Sequence, residues 1–139
     1  MIFVSSRAGG QGVGDFYVSF RRNPLDDLAW ETPQILTELN SSSDEFGPTG
    51  FIHPQTGALV LFFNSNRPGG LGAYDIYSST LQTDGKFSLP VRVPELSSTA
   101  NDRFPTVRPD GLRLILGSDR PGTLGGHDFW EATRATISE

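Results

Sequence analysis

An arginine and an aspartate eight residues apart, with glycines between them, recur three times in 139 residues. The segments read Arg7-Ala-Gly-Gly-Gln-Gly-Val-Gly-Asp15, Arg67-Pro-Gly-Gly-Leu-Gly-Ala-Tyr-Asp75 and Arg120-Pro-Gly-Thr-Leu-Gly-Gly-His-Asp128. Each is followed by an apolar–aromatic pair: Phe16-Tyr17, Ile76-Tyr77 and Phe129-Trp130. A motif repeated at this spacing describes an array of similar supersecondary units rather than one irregular globule. Residues present in every unit are expected to build the unit before they serve any one site.

Apolar runs ending in Ser precede each arginine: Met1–Ser5, Leu59–Ser65 and Leu112–Ser118. The first two are apolar on both faces, as a strand buried between two layers must be. A second run follows each aspartate: Phe16–Phe20, Ile76–Thr80 and Phe129–Thr133. Two runs joined by a glycine-rich loop predict a hairpin, since glycine supplies the positive φ such loops need.

A second correspondence lies 57 residues apart: Trp30-Glu-Thr-Pro33 matches Phe87-Ser-Leu-Pro90, and Glu38–Glu45 matches Glu95–Asp102. Pro48-Thr49 matches Pro105-Thr106, and the turns His53–Gly57 and Arg108–Gly111 close the comparison. A full unit therefore has four strands, and about ten strands are expected, grouped three, four and three. Antiparallel four-stranded sheets recurring every ~55 residues predict an all-β chain of β-propeller type, with a sandwich as the alternative. The expected division is 1–40, 41–97 and 98–139, with a complete unit flanked by two incomplete ones.

Composition narrows the function classes. A net charge of −5 argues against nucleic acid or anionic membranes as general partners. No cysteine is present, so disulfides, thiolate ligands and thiol nucleophiles are excluded. No run has the length of a membrane span. The first residues lack the basic start and apolar run of a secretory signal, so the chain as written reads as cytoplasmic.

The phrases Asp44-Glu45, Pro48, Ile52-His53-Pro54, Gly57 and Phe63-Asn-Ser-Asn-Arg67 through Asp75-Ile-Tyr77 resemble the WD40-like (PD40) β-propeller repeat of the TolB type. The likeness covers nearly the whole chain, with Thr123 replacing a glycine in the third unit. It implies a bacterial protein whose relatives often work in the periplasm or envelope, mostly as binding or scaffolding modules. The fold does not deliver an activity. Because propellers close with four to eight blades, three units are expected to find partners. A homodimer of six blades around a two-fold axis is favoured; a trimer, or exchange of the tail 134–139 between copies, would also close the sheets.

Asp15, Asp75 and Asp128 are read as accepting hydrogen bonds from loop amides or a nearby arginine, fixing the hairpin. A ligand-binding role for Arg7, Arg67 and Arg120 is the lesser reading. Asp44, Glu45, Asn101 and Asp102 open the inner strands, and two copies around an axis would gather oxygen ligands suited to Ca²⁺ or another divalent metal. The plainer alternative is that these acids cap turns. His53 is expected to be structural. His127 replaces Gly14 and Tyr74 of the other units, which makes it the candidate general base or metal ligand.

Three functions follow as expectations. The first is a ring-forming module binding a protein, peptide, glycan or small molecule on its top face or central channel. The second is a metal-dependent hydrolase of phosphotriesters, lactones or esters. The third is a fragment of a longer propeller without activity of its own.

Overall fold

The computed structural model describes residues 1–137. Ten strands account for its regular structure, and no helix occurs among the described residues. They are β1 (Ile2–Ser5), β2 (Asp15–Val18), β3 (Gln34–Ile35), β4 (Glu45–Ile52), β5 (Leu59–Ser65), β6 (Asp75–Thr80), β7 (Val91–Arg92), β8 (Asp102–Val107), β9 (Arg113–Ser118) and β10 (Asp128–Thr133). All strand pairs are antiparallel, and they form three sheets: β1-β2-β3, β4-β5-β6-β7 and β8-β9-β10. The grouping of three, four and three is the one the repeat predicts.

The middle sheet has an apolar layer on each side. Side chains alternate between the faces of a strand, and β5 obeys this residue by residue. Leu61 and Phe63 join Phe16, Leu39, Tyr77 and Phe87 in the cluster toward the first sheet. Val60 and Phe62 join Phe51, Ile76, Leu96, Val107, Leu114 and Leu116 in the cluster toward the third. The last five residues of β5, Leu61–Ser65, are buried, and the apolar Leu61, Phe62 and Phe63 among them face both layers, which is why this strand reads as apolar on both faces. Phe16 meets Phe63 edge to face, with ring centroids 5.1 Å apart.

Each junction is also tied by backbone. The Glu45 amide donates to the Gly14 carbonyl at 2.9 Å, and the Asp102 amide to the Tyr74 carbonyl at 3.0 Å. The residue before each of the first two hairpin aspartates thus supports the inner strand of the next sheet. The equivalent residue of the third hairpin is His127.

The inner strands β4 and β8 share an irregularity. Register shifts between Phe46 and Thr49, and between Arg103 and Thr106, mark matching bulges. Gly47 takes φ +63° in the first, and Phe104 takes φ +51° at the same place in the second. Left-handed backbone is natural for glycine and strained for phenylalanine. Asn64 on β5 links the two bulges, its Oδ1 accepting from the Phe104 amide at 2.9 Å.

Candidate functional site: the arginine clasps and hairpin loops

Each hairpin aspartate holds its own loop. Asp15 accepts from the amides of Gln11 and Gly12 at 3.1 and 3.2 Å, and Asp75 from those of Leu71 and Gly72 at 2.9 and 3.2 Å. A methyl group on Gly10 or Gly70 would stand 2.1 or 2.2 Å from the carboxylate oxygen. The third loop carries Thr123 at that position, and there Asp128 is only half-buried and takes the Leu124 amide alone.

The arginines turn elsewhere. Arg67 donates through Nε to Ser65 Oγ at 3.1 Å, and through Nη2 to the Leu39 carbonyl at 2.6 Å and Glu45 Oε1 at 3.1 Å. Arg120 repeats the arrangement with Ser118 (3.0 Å), the Leu96 carbonyl (3.0 Å) and Asp102 Oδ1 (2.6 Å). The guanidinium of Arg67 also lies over Phe63 and Tyr77, at 5.3 and 4.9 Å, and that of Arg120 over Trp130 at 5.3 Å.

Both acids held this way are fully buried. Glu45 accepts further from Ser41 Oγ, the Ser41 amide and Ser65 Oγ at 2.6, 3.0 and 2.8 Å. Asp102 accepts from Ser98 Oγ and Ser118 Oγ at 2.9 and 2.6 Å, and from the Ser98 amide. Burial pushes the Asp102 carboxyl up, but hydrogen bonds from Ser118, Arg120 and Ser98 outweigh it and hold the group below its ordinary range. These donors leave the two carboxylates saturated inside the junctions.

The remaining tentative ligands are distributed rather than gathered. Asp44 accepts from the Tyr74 hydroxyl at 3.2 Å, and its amide donates to Asn66 Oδ1. In the next unit the acid and amide exchange places: the Asn101 amide and side chain donate to Asp119 at 2.7 and 2.9 Å. Those bonds, backbone first, hold the Asp119 carboxyl below its usual range, with a smaller contribution from the His127 charge. Among the described residues no group of three or more His, Cys, Asp or Glu side chains is placed to hold a metal ion.

His53 is buried in its turn, where Nδ1 accepts from the Gln55 and Thr56 amides at 3.4 Å. His127 is exposed, in the loop next to Asp128. At the same loop position Tyr74 stacks under the Arg103 guanidinium at 3.8 Å, and Gly14 leaves room for the Phe46 ring. Burial first, then the Asp44 charge, pushes the Tyr74 hydroxyl up.

Sequence reasoning missed one concave feature. Between the second and third sheets, at the end opposite the hairpin loops, lies a groove of about 430 Å³ bordered by Phe62, Val93, Leu96, Leu114, Ala132 and Arg134. At the first junction Phe87 and Leu81 pack into the core. Arg134 spans the second, donating to the Gly111 carbonyl at 2.8 Å and lying over Phe51 at 5.4 Å.

No family model matches this chain, and no match was found among curated proteins. No helix among the described residues is long and apolar enough to cross a membrane.

Proposed function

We propose that this chain is a β-propeller-type binding or scaffold module of the PD40 kind. Its sheets pack head to tail onto those of a second copy to give a six-sheet ring, with a ligand held on the hairpin-loop face or in the central channel. One observation carries the reading. Phe16 and Ile76 are 0% exposed because each is covered by the next sheet, whereas Phe129 at the matching position is 89% exposed. Ile115, matching Phe62, is also exposed on the third sheet. The first sheet carries the complementary set, Phe3, Tyr17 and Arg7, which matches Phe63, Tyr77 and Arg67. A chain with both halves of one junction forms a heterologous contact that closes when two copies meet twice.

A ring built in this way supports binding rather than catalysis. Arg67 with Glu45, and Arg120 with Asp102, are consumed in tying each hairpin to its own inner strand and to the preceding connector. Saturation of Glu45 and Asp102 also weighs against the metal-dependent hydrolase.

Sedimentation equilibrium from low to high micromolar concentration tests the assembly. The expected result is a mass twice the 15.1 kDa chain, reduced to the monomer by Phe129→Asp or Phe3→Asp alone. Mixing the two variants should yield a one-to-one pair that grows no further, since each keeps one intact half. A wild type that stays monomeric, or variants that do not complement, would sink the proposal.

A further inference from the structure

The first hairpin contains a third clasp with nothing in it. Arg7 Nε donates to Ser5 Oγ at 3.0 Å, and its guanidinium lies 5.2 Å from the Phe3 ring and 4.8 Å from the Tyr17 ring. Those contacts reproduce the Arg67 set of Ser65, Phe63 and Tyr77 (3.1, 5.3 and 4.9 Å) within a few tenths of an ångström. Arg67 and Arg120 each hold a buried carboxylate and a leucine carbonyl. Among the described residues Arg7 holds neither, and it is exposed.

Two independent features sit beside it. The Tyr17 hydroxyl is buried without a hydrogen-bond partner among the described residues, on a residue only 4% exposed. And β1 is paired on one edge only, by β2, whereas its counterparts β5 and β9 are paired on both. The strands on their second edges, β4 and β8, are the ones that deliver Glu45 and Asp102.

The chain itself states what fits such a clasp. The two occupied clasps take Leu39-Asn-Ser41-Ser-Ser-Asp-Glu45 and Leu96-Ser-Ser98-Thr-Ala-Asn-Asp102. In both, the leucine enters the apolar layer, its carbonyl meets the arginine, the serine four residues before the start of the β-strand folds back on the acid, and the acid starts the added strand.

We infer that Ser5, Arg7, Phe3, Tyr17 and the open edge of β1 form a docking site for an extended segment of the type Leu-(Ser/Asn)-Ser-x-x-x-(Asp/Glu), supplied by a repeat unit other than the two whose segments this chain already folds into its own clasps. The segment pairs with β1 as an inner strand. Its carboxylate joins Arg7 and Ser5 in a charge-assisted cluster, and its leucine packs on the half-buried Phe3. Main-chain pairing gives the affinity, and the leucine and acid give the selectivity. The inference rests on reading the chain as a module of repeating sheets, and it names the chemistry of that module's partner.

A labelled synthetic peptide with the sequence of residues 93–107 tests it by fluorescence anisotropy against the intact protein. Saturable one-to-one binding is expected, weakened at least about tenfold by alanine in place of Asp102 in the peptide, and equally by Arg7→Ala in the protein. Hydrogen exchange should slow at β1 amides and not at β10. No binding, binding indifferent to the peptide's acid, or protection confined to β10 would overturn the site. Arg7 is exposed, so its variant should fold, and the peptide-side substitution decides the matter even if it does not. The mass of the wild-type protein is read separately: a wild type that stays monomeric and still captures the peptide refutes the ring and keeps this site.

Discussion

Arg67 crosses from its own hairpin to the start of the same sheet's inner strand and holds the buried Glu45 carboxylate at 3.1 Å, while its second acceptor is the carbonyl of Leu39 in the preceding connector. One guanidinium thus ties hairpin, inner strand and connector together. Arg120 does the same with Asp102 and Leu96. Removing one partner leaves the other buried without compensation, which costs about 3–5 kcal/mol. Arg120→Ala and Asp102→Ala are therefore each expected to lower the urea midpoint sharply. The double variant should lose less than the two singles added together. Equal additivity in such a cycle would show that the pair is not coupled.

Asp102 also sets a pH dependence. Its folded carboxyl is held below the unfolded value, so the unfolded chain binds the extra proton in the window between the two. Stability then rises with pH in that window. The contribution is fully present above the ordinary aspartate range and is lost as pH falls through the depressed folded value. Urea midpoints measured downward from about pH 5 should fall in the wild type and fall less steeply in Asp102→Asn. Parallel curves for the two proteins would refute this assignment.

The glycine five residues after each arginine separates closed junctions from an open face. A methyl on Gly12 would stand 1.8 Å from the Ser43 carbonyl, and one on Gly72 1.9 Å from that of Ala100. On Gly125 it would meet nothing closer than 3.9 Å. Gly72→Ala must push two sheets apart and is expected to cost about 2–3 kcal/mol. Gly125→Ala should leave the melting of the monomer unchanged within about 0.5 kcal/mol. If the ring forms, the same Gly125 variant should weaken it, which sedimentation would read directly.

Much of the fold was legible because a two-residue period and a repeated loop are local signals. The β5 run, apolar on both faces, announced a layer on each side, and the three hairpins announced three sheets. The arginine partners were not legible. Asp75 is eight residues from Arg67 and looks like its natural mate, yet the loop amides claim it. Glu45, 22 residues back, becomes adjacent only through strand pairing. The signal that could have found it is that an acid opens every inner strand whose unit carries the arginine. The exchange between Asp44 with Asn66 and Asn101 with Asp119 was likewise visible only once the sheets were aligned.

The bulge residues were hidden for a different reason, because sequence similarity between Gly47 and Phe104 is nil although their backbones match. Phe104 keeps φ +51° with its ring 61% exposed, so little burial repays the strain. A left-handed non-glycine residue costs about 1–3 kcal/mol, and glycine gives back about 0.5–1 kcal/mol through its freer unfolded chain. Phe104→Gly is therefore expected to stabilise the protein by about 1 kcal/mol in chemical denaturation. Gly47→Ala should do the opposite, since its new methyl would stand 3.2 Å from Asn64 Oδ1 and from the Phe104 Cα. A Phe104→Gly variant less stable than the wild type would mean that the exposed ring contributes contacts on this inner strand that outweigh its backbone strain.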